Sequence, residues 1–447
     1  MRELFGTDGM RGVAGEPPLD PETLYRFGRA LIVFLESAGQ GSRVCLGQDT
    51  RESCGWIRQK LAQGIRDAGG QAVTAGELPT PALALITRRD DFAAGLMISA
   101  SHNPFHDNGV KVFDHTGSKL PDRAEAEIEH LIAKQPRSQQ AANTVTAEDE
   151  HDLLQEEYLI FLDQCLEGVR LEGLRVVLDC AHGAASRLAP LAFKRAGAEL
   201  VVLGDEPNGR NINDGYGSLH PEVAAEVVRS RGAAVGFSFD GDADRCIACT
   251  ADGRRLDGDF ALYYIGRALH AAGRLPCSTV VSTVMSNLGL EKALEDEGIR
   301  MLRAPVGDRY VLEAMREGGF TVGGEQSGHV ILMDHAPTGD GILTALTICK
   351  LWRQGAGELD AALDAIPVYP QVLRNVRVAS KPAIDEHPVL RKAVRRAEQR
   401  MAGKGRVVVR YSGTEPKARV MIEGANAALV DELVDELVAL FEKELGA

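Results

Sequence analysis

The chain repeats one supersecondary pattern three times, and this repetition constrains its fold more than any other feature. Each copy is a short apolar strand, a turn, an amphipathic helix, a glycine and a second apolar strand; the first strands lie at 43–47, 175–179 and 279–282. Almost continuously apolar strands are typical of parallel strands that helices cover on both faces. The pattern therefore predicts three related α/β domains.

The pattern changes after Pro370. Strands are predicted at 372–378, 406–410 and 418–423, a helix at 388–401, and a final helix whose apolar stripe runs from Leu429 to Phe441. We expect that stripe to pack on its own sheet, so this part is a smaller α+β domain. Polar stretches place the domain boundaries, and the four predicted domains are 1–150, 151–254, 255–367 and 368–447.

Composition excludes several classes of protein. The 447 residues carry a net charge of −14, and no Lys/Arg-rich block is present, so we expect no nucleic-acid partner. No run of about 20 apolar residues is present, so we expect no membrane span. The N-terminus lacks an apolar run, which predicts no secretory signal. Cys246 and Cys249 lie in a short apolar segment and are interpreted as buried reduced thiols. These features together favour the cytoplasm.

An acidic turn predicts a metal site. Asp240, Asp242 and Asp244 alternate in a turn between two apolar runs, so their carboxylates can face one another. Three such charges about 4 Å apart cost on the order of 10 kcal/mol at an effective dielectric of 20 unless a cation lies among them. Oxygen ligands favour Mg²⁺ or Ca²⁺. An EF-hand is excluded, because Arg245 and Ala251 occupy the positions of its Gly and Glu. A solvated acidic turn is the alternative.

A second turn follows the strand at 95–98 and reads Ser-Ala-Ser-His-Asn-Pro from Ser99 to Pro104. Such a turn can display a serine hydroxyl, which needs a base, cations or a metal to act as a nucleophile. His102 is adjacent in sequence, so its ring and the hydroxyl need not meet. A serine hydrolase is poorly supported, because no Gly-x-Ser-x-Gly elbow occurs. A serine that only caps the turn is the alternative.

Two further turns are suited to a phosphorylated sugar. Glu325, Ser327 and His329 lie in a Gly-rich turn whose polar groups match sugar hydroxyls, with a structural turn as the alternative. Arg410 and Arg419 flank a Ser-Gly-Thr turn that can hold a phosphate, with an ordinary hairpin as the alternative. No Walker motif and no Gly-x-Gly-x-x-Gly occur, which disfavours nucleotide-dependent phosphoryl transfer.

Five separated motifs together resemble the α-D-phosphohexomutase superfamily over essentially the whole chain. They lie at 5–12, 99–104, 240–245, 324–329 and 410–419. The resemblance implies four domains around a central cleft and a resting enzyme phosphorylated on Ser101. It also implies one Mg²⁺ per subunit, held by Asp240, Asp242 and Asp244 together with Ser101.

The resemblance assigns the remaining site residues by role. Beside Ser101, it implies catalytic or charge-stabilising roles for Arg11, Lys111, Arg245 and His329. Glu325 and Ser327 would hold the sugar hydroxyls. The phosphate that is not reacting would be gripped by Arg410, Ser412, Gly413, Thr414 and Arg419.

The implied reaction interconverts glucosamine 6-phosphate and glucosamine 1-phosphate through a 1,6-bisphosphate, and it feeds amino-sugar nucleotide and cell-wall synthesis. Gln326 favours this substrate, because phosphomannomutase/phosphoglucomutase relatives usually carry Met at this place; those relatives are the alternative function. A non-catalytic sugar-phosphate sensor and a metal-dependent phosphatase are further alternatives. The expected partners are the hexosamine phosphate and its bisphosphate. The oligomeric state stays open between monomer and homodimer.

Overall fold

A computed structural model describes residues 4–6, 9–88, 91–137, 147–412 and 416–446. In these ranges no helix combines the length and the apolar character that a membrane span requires. The described strands form four sheets, three of which carry helices of the repeated pattern.

The first sheet has seven strands, in the order β1-β2-β6-β5-β3-β4-β7 once numbered along the chain. Its strands are β1 (Phe5–Gly6), β2 (Gly9–Val13), β3 (Arg43–Gln48), β4 (Gln71–Glu77), β5 (Ala94–Ile98), β6 (Asp107–Asp114) and β7 (Glu148–Asp149). Its helices are α1 (Pro21–Ser37), α2 (Cys54–Asp67), α3 (Thr80–Thr87) and α4 (Asp122–Lys134).

The second sheet has five strands and the third has four. The second contains β8 (Arg175–Asp179), β9 (Glu199–Leu203), β10 (Val235–Phe239), β11 (Cys246–Thr250) and β12 (Arg255–Leu256), with α5 (His151–Cys165), α6 (Ala185–Ala196) and α7 (Pro221–Arg231). The third contains β13 (Thr279–Thr283), β14 (Arg300–Ala304), β15 (Val322–Gly324) and β16 (Val330–Leu332), with α8 (Gly258–Ala271), α9 (Leu288–Asp296), α10 (Asp308–Gly318), α11 (Gly341–Arg353) and α12 (Leu359–Asp364).

These three sheets share a four-stranded core of one topology. The cores read β4-β3-β5-β6, β9-β8-β10-β11 and β14-β13-β15-β16. In each, the first three strands are parallel and the fourth returns antiparallel. The prediction of three related α/β units is therefore confirmed, with sheets that are mixed in direction. Each connection between third and fourth strands holds a predicted functional turn, at 99–106, 240–245 and 325–329.

The fourth sheet is small and antiparallel, in the order β17-β19-β18. It contains β17 (Gln371–Arg377), β18 (Gly405–Tyr411) and β19 (Lys417–Gly424), with α13 (Pro388–Met401) and α14 (Ala427–Leu445). The predicted apolar stripe of α14 packs on β17 and β19, as expected, and its buried residues are Val430, Leu433, Val434, Leu437 and Phe441. The side chain of Asn426 starts α14 by accepting from Leu429 N.

Two short strands lie next to predicted domain boundaries. Glu148–Asp149 pair with β4 at the end of the predicted first domain, 1–150, while residues 138–146 lie outside the described ranges. Residues Arg255–Leu256 pair with β11, so the second sheet continues two residues past the predicted boundary at 254. Both short strands are defined by backbone hydrogen bonds to a neighbouring strand, and local composition does not encode these bonds. Cys246 and Cys249 are buried and free, as predicted.

Candidate active site

The turns of the first and second sheets meet at Ser101. Its hydroxyl donates to Oδ2 of Asp240 at 2.6 Å, and Asn213 Nδ2 donates to the Ser101 carbonyl at 2.9 Å. Ser101 is 2% exposed and has a φ of 52°, which is uncommon for a residue other than glycine. Such backbone strain costs about 1 kcal/mol or more and persists only where neighbours enforce it. The Ser101 hydroxyl is thus held against the acidic turn.

A buried arginine enforces this conformation. Arg51 is fully buried and forms an ion pair with Asp49, with 2.9 Å between Nε and Oδ2. Asp49 also accepts the hydroxyl of Ser99 at 2.6 Å. The remaining donors of Arg51 go to four carbonyls of the serine turn, those of Ser101, Asn103, Pro104 and Asp107. The sequence analysis missed both residues, although Asp49-Thr50-Arg51 directly follows the first strand of the repeat.

Replacing Arg51 with lysine is expected to lower kcat by about 10- to 100-fold, because lysine keeps the charge beside Asp49 but cannot reach four carbonyls at once. Loss of the buried hydrogen bonds is expected to lower the free energy of unfolding by about 2–4 kcal/mol. Steady-state kinetics and urea denaturation measure the two effects. Arg66→Lys, at an exposed position on α2, is the matched control; equal kinetics in both variants would contradict the assignment.

The acidic turn fits a divalent cation. Asp240, Asp242 and Asp244 are buried, and one oxygen of each lies within 4.8 Å of the others. Oδ1 of Asp242 and Oδ1 of Asp244 are buried without a hydrogen-bond partner among the described residues. Burial, together with the charges of Asp244 and Asp242, raises the pKa of Asp240 to about 8. Buried, crowded carboxylates with free oxygens are the donor set that Mg²⁺ prefers.

Two predicted cations border this cluster. Lys111 is 1% exposed, and its Nζ lies 2.7 Å from Oδ2 of Asp242 and 3.6 Å from Oδ2 of Asp244. Nε of Arg245 lies 3.7 Å from Oδ1 of Asp244. Burial acts to raise the pKa of Asp244, but Lys111, His329 and Arg245 hold it well below its usual range. The structure therefore brings Lys111 and Arg245 together with the carboxylates.

Arg11 lies on β2, opposite Gly109 of β6. Its charge acts on His102, which follows Ser101: burial, together with the charges of Arg245 and Arg11, lowers the pKa of His102 to about 4. His102 is therefore neutral at physiological pH. Arg11 and Arg245 add positive charge beside the serine, as a phosphoryl group requires.

The Gly-rich turn at 325–329 packs against the acidic turn. Oε1 of Glu325 accepts from Gly307 N at 3.1 Å, and Ser327 Oγ donates to Oε2 at 3.3 Å. Cys246 N, at the end of the acidic turn, donates to the Gly328 carbonyl at 3.0 Å. A side chain at Gly328 would lie 2.5 Å from the Cys246 carbonyl oxygen, and its φ is 95°, so only glycine fits.

His329 contacts the carboxylate cluster from this turn. Gly339 N donates to Nε2 at 3.1 Å, so the hydrogen-bond pattern assigns the ring proton to Nδ1, which lies 3.7 Å from Oδ2 of Asp244. The ring is 3% exposed. His329 therefore lies where its charge acts on Asp244.

The fourth domain presents paired arginines. Arg410 and Arg419 are directly opposite each other on β18 and β19. Burial lowers the pKa of Arg410 and the charge of Arg419 lowers it further, while Glu325 acts in the opposite direction. Like charges at opposed positions are unfavourable unless an anion lies between them. Lys381, which the sequence analysis missed, adds a third cation: its Nζ donates to the carbonyl of Ser412 at 2.6 Å.

Gly413 and Thr414, the other two predicted phosphate ligands, lie outside the described residues. Ser412 is buried at the start of the same turn. Of the three predicted phosphate ligands in this turn, the described residues therefore include Ser412, which lies between Arg410 and Arg419 in the sequence.

Four family models match the chain in order. They are described as phosphoglucomutase/phosphomannomutase domains I, II and III, which are alpha/beta/alpha, and the C-terminal domain; they match residues 2–139, 156–253, 257–369 and 373–440. The chain belongs to the phosphoglucomutase/phosphomannomutase family. The superfamily identified from the five motifs is thereby confirmed, and so is the architecture of three α/β domains with a smaller C-terminal domain.

Curated members of this family match along the whole chain. A phosphoglucosamine mutase from Solibacter usitatus is 47% identical over 445 residues, which covers 100% of this chain and 99% of the relative. A phosphoglucosamine mutase from Koribacter versatilis is 46% identical over 453 residues, which covers 100% of this chain and 98% of the relative.

Solved structures share the fold at lower identity. A phosphoglucomutase/phosphomannomutase family protein from Burkholderia thailandensis matches with a TM-score of 0.81 at 22% identity, over 99% of both chains. An N-acetylphosphoglucosamine mutase from Aspergillus fumigatus, solved in complex with GlcNAc-6P and magnesium, matches with a TM-score of 0.69 at 18% identity, over 99% of this chain and 96% of that one.

Proposed function

We propose that the chain is an isomerase that interconverts glucosamine 6-phosphate and glucosamine 1-phosphate. The observation that carries the proposal is the contact of 2.6 Å between the Ser101 hydroxyl and Asp240, within a buried carboxylate cluster. It gives a phosphoryl acceptor beside a cation site, as a phosphoserine mechanism needs. The full-length relatives named phosphoglucosamine mutase support the choice of glucosamine.

The reaction proceeds in two phosphoryl transfers. A hydroxyl of the sugar phosphate attacks the phosphorus of phosphorylated Ser101; the new P–O bond forms as the bond to Ser101 Oγ breaks, giving the 1,6-bisphosphate. The bisphosphate turns over in the cleft, and Ser101 Oγ then takes the other phosphoryl group. In the second transfer the bond from that phosphorus to the sugar oxygen breaks, and the freed oxygen takes up the proton that the attacking sugar hydroxyl released in the first. Lys111 and Arg11 lie beside the reacting oxygens as proton-transfer or charge-stabilising groups.

Mg²⁺, held by Asp240, Asp242, Asp244 and the Ser101 phosphate, would neutralise charge on the transferring group. Arg245 stabilises the same charge, and His329 tunes Asp244. Glu325 and Ser327 hold the sugar hydroxyls in either orientation. The phosphate that is not reacting is gripped by Arg410, Ser412, Gly413, Thr414 and Arg419.

The finer features of the enzyme are part of the same proposal. We expect one Mg²⁺ per subunit, activating phosphorylation on Ser101, and the hexosamine phosphate with its 1,6-bisphosphate as ligands. The domains divide at 150/151, 256/257 and 367/368, with the predicted division at 254/255 moved by two residues so that Arg255–Leu256 stay with the second sheet. The location is the cytoplasm, where reduced thiols such as Cys246 persist.

Substrate preference tests the proposal. The value of kcat/KM for glucosamine phosphate is expected to exceed the values for glucose and mannose phosphates by about tenfold or more, which corresponds to roughly 1.4 kcal/mol of selective transition-state binding. A coupled assay with a catalytic amount of sugar bisphosphate measures all three. A preference for glucose or mannose phosphate would support the phosphomannomutase/phosphoglucomutase alternative. Phosphate release that is faster than isomer formation would indicate a metal-dependent phosphatase. The absence of any turnover would indicate a non-catalytic sugar-phosphate sensor.

A further inference from the structure

A cavity of about 460 Å³ lies between the first and second domains, apart from the carboxylate cluster. One wall is formed by the carboxyl ends of β3 and β4, and the other by the start of α6 and the residues that follow β9. The start of α5 forms a third side. The side chain of Gln155 fastens it to the first sheet by donating to the carbonyls of Ala75 and Glu77, at 2.9 and 3.0 Å. Clefts at domain joints and at the carboxyl ends of parallel strands are common places for small-molecule sites.

The cavity offers positive charge for an anion. Arg58 from α2 and Arg187 from α6 both line it. The Arg58 guanidinium donates to Thr74 Oγ1 at 3.3 Å, and its charge opposes the burial that raises the pKa of Glu77. Arg187 donates to Gln155 Oε1 at 3.0 Å and reaches Asp152, whose side chain is 76% exposed. The first residues of α6, a helix of 12 residues, add the positive end of a helix dipole. Two arginines and a helix start together suit a phosphate group.

The same cavity offers acceptors for hydroxyl groups. Gln48, the last residue of β3, lines it and is only 8% exposed, yet its Oε1 has no hydrogen-bond partner in the described part of the chain. A buried acceptor without a partner is destabilising, and a hydrogen bond from a ligand hydroxyl would remove that cost. The carboxylates of Glu77 and Asp205 also line the cavity and can accept from further hydroxyls.

We propose that this cavity is a second ligand site, which binds a phosphorylated polyol such as a sugar phosphate or a nucleotide. Arg58, Arg187 and the start of α6 bind the phosphate, and Gln48 Oε1 accepts from a hydroxyl. The proposal is independent of the reaction at Ser101.

Both walls of the cavity continue into the catalytic turns. Ala184 N donates to the carbonyl of Gly241, in the acidic turn, at 2.8 Å. Gln48 directly precedes Asp49, whose carboxylate accepts from Ser99 in the serine turn. A ligand that joins the two walls therefore stabilises the arrangement of the domains that carry Ser101 and Asp240.

Calorimetric titration of the full chain tests the site. The titrated protein carries Arg410→Ala and Arg419→Ala, which weaken phosphate binding at the proposed active site. The probes are inorganic phosphate, glucose 6-phosphate and uridine 5′-monophosphate. We expect one of the two phosphorylated polyols to bind at one site per chain and more tightly than inorganic phosphate. Tighter binding of glucose 6-phosphate would identify the ligand as a sugar phosphate, and tighter binding of uridine 5′-monophosphate would identify it as a nucleotide.

Variants of the cavity decide the assignment. Arg187→Gln and Gln48→Leu are each expected to weaken binding by about tenfold or more, while Arg175→Gln, at an exposed position on β8 outside the cavity, leaves it unchanged. Arg187 is exposed, so its variant remains informative if the buried Gln48→Leu variant does not fold. The absence of binding by every probe would overturn the proposal. So would binding that both cavity variants leave intact, or equal affinity for inorganic phosphate and the polyols.

Discussion

Replacing Ser101 with alanine is expected to reduce turnover by about 10⁴-fold or more, because the variant has no hydroxyl to carry the transferred phosphoryl group. The fold is expected to stay intact. The positive φ of Ser101 is enforced by Arg51 and Asn213, which bind backbone carbonyls and not the hydroxyl. The lost hydrogen bond to Asp240 involves a single neutral donor. The coupled isomerase assay measures turnover, and circular dichroism with thermal melting measures the fold.

The control for this change is Ser230→Ala, which removes a hydroxyl from α7 that donates only to the carbonyl of Val227. Intact mass gives a second measurement that does not depend on turnover. After incubation with a sugar bisphosphate, the parent protein is expected to gain one phosphoryl group and the Ser101→Ala variant none. A Ser101→Ala protein with activity near that of the parent would refute the phosphoserine mechanism.

Replacing Asp240 with asparagine is expected to lower activity by about 10³-fold while making the metal-free protein more stable. Asparagine keeps the oxygen that accepts from Arg245 N at 3.1 Å, but it removes one charged ligand. Folding raises the pKa of Asp240 from its ordinary value of 3.8 to about 8, chiefly through burial. The contribution of Asp240 to the stability of the metal-free parent is therefore greatest below pH 3.8, and it falls as the pH rises from there to about 8. Asparagine is neutral, so the stability of the Asp240→Asn variant does not fall with pH for this reason.

Thermal melting with and without Mg²⁺ separates these effects. At pH 8 in a chelator, the Asp240→Asn variant is expected to melt a few degrees above the parent. Added Mg²⁺ is expected to stabilise the parent and not the variant, because binding only to the folded state raises the melting temperature. Asp252→Asn, in an exposed turn after β11, is the control. If neither Mg²⁺ nor the chelator changes the melting temperature of the parent protein, the assignment of the cation site is wrong.

Much of the architecture follows from local sequence. The strands and helices of the three repeats are encoded by apolar runs and by turn residues, which act over a few positions. The acidic turn at 240–245 is recognisable for the same reason, because alternate carboxylates in one turn cannot avoid one another without a cation. The apolar stripe of α14 likewise follows from helical periodicity alone.

The equivalence of the three predicted functional turns, at 99–106, 240–245 and 325–329, becomes visible only in the folded chain. Each connects the third strand of a repeat to its antiparallel fourth strand, but the fourth strands differ in length, with eight residues in β6, five in β11 and three in β16. Sequence spacing alone therefore hides the correspondence. Pairing partners, which are set by the whole sheet, reveal it.

By itself, the sequence determined the repeated α/β units, the small C-terminal domain and the residue types of each turn, because these depend on short-range periodicity and charge. Only the tertiary structure decided which residues hold those turns in place. Arg51 binds the carbonyl of Ser101, which lies 50 residues further along the chain, and Lys381 binds the carbonyl of Ser412 across 31 positions. The structure also decided that His329 contacts Asp244. Contacts of this range leave no periodic pattern in the sequence, because their geometry exists only once strands and turns that are far apart along the chain have packed together.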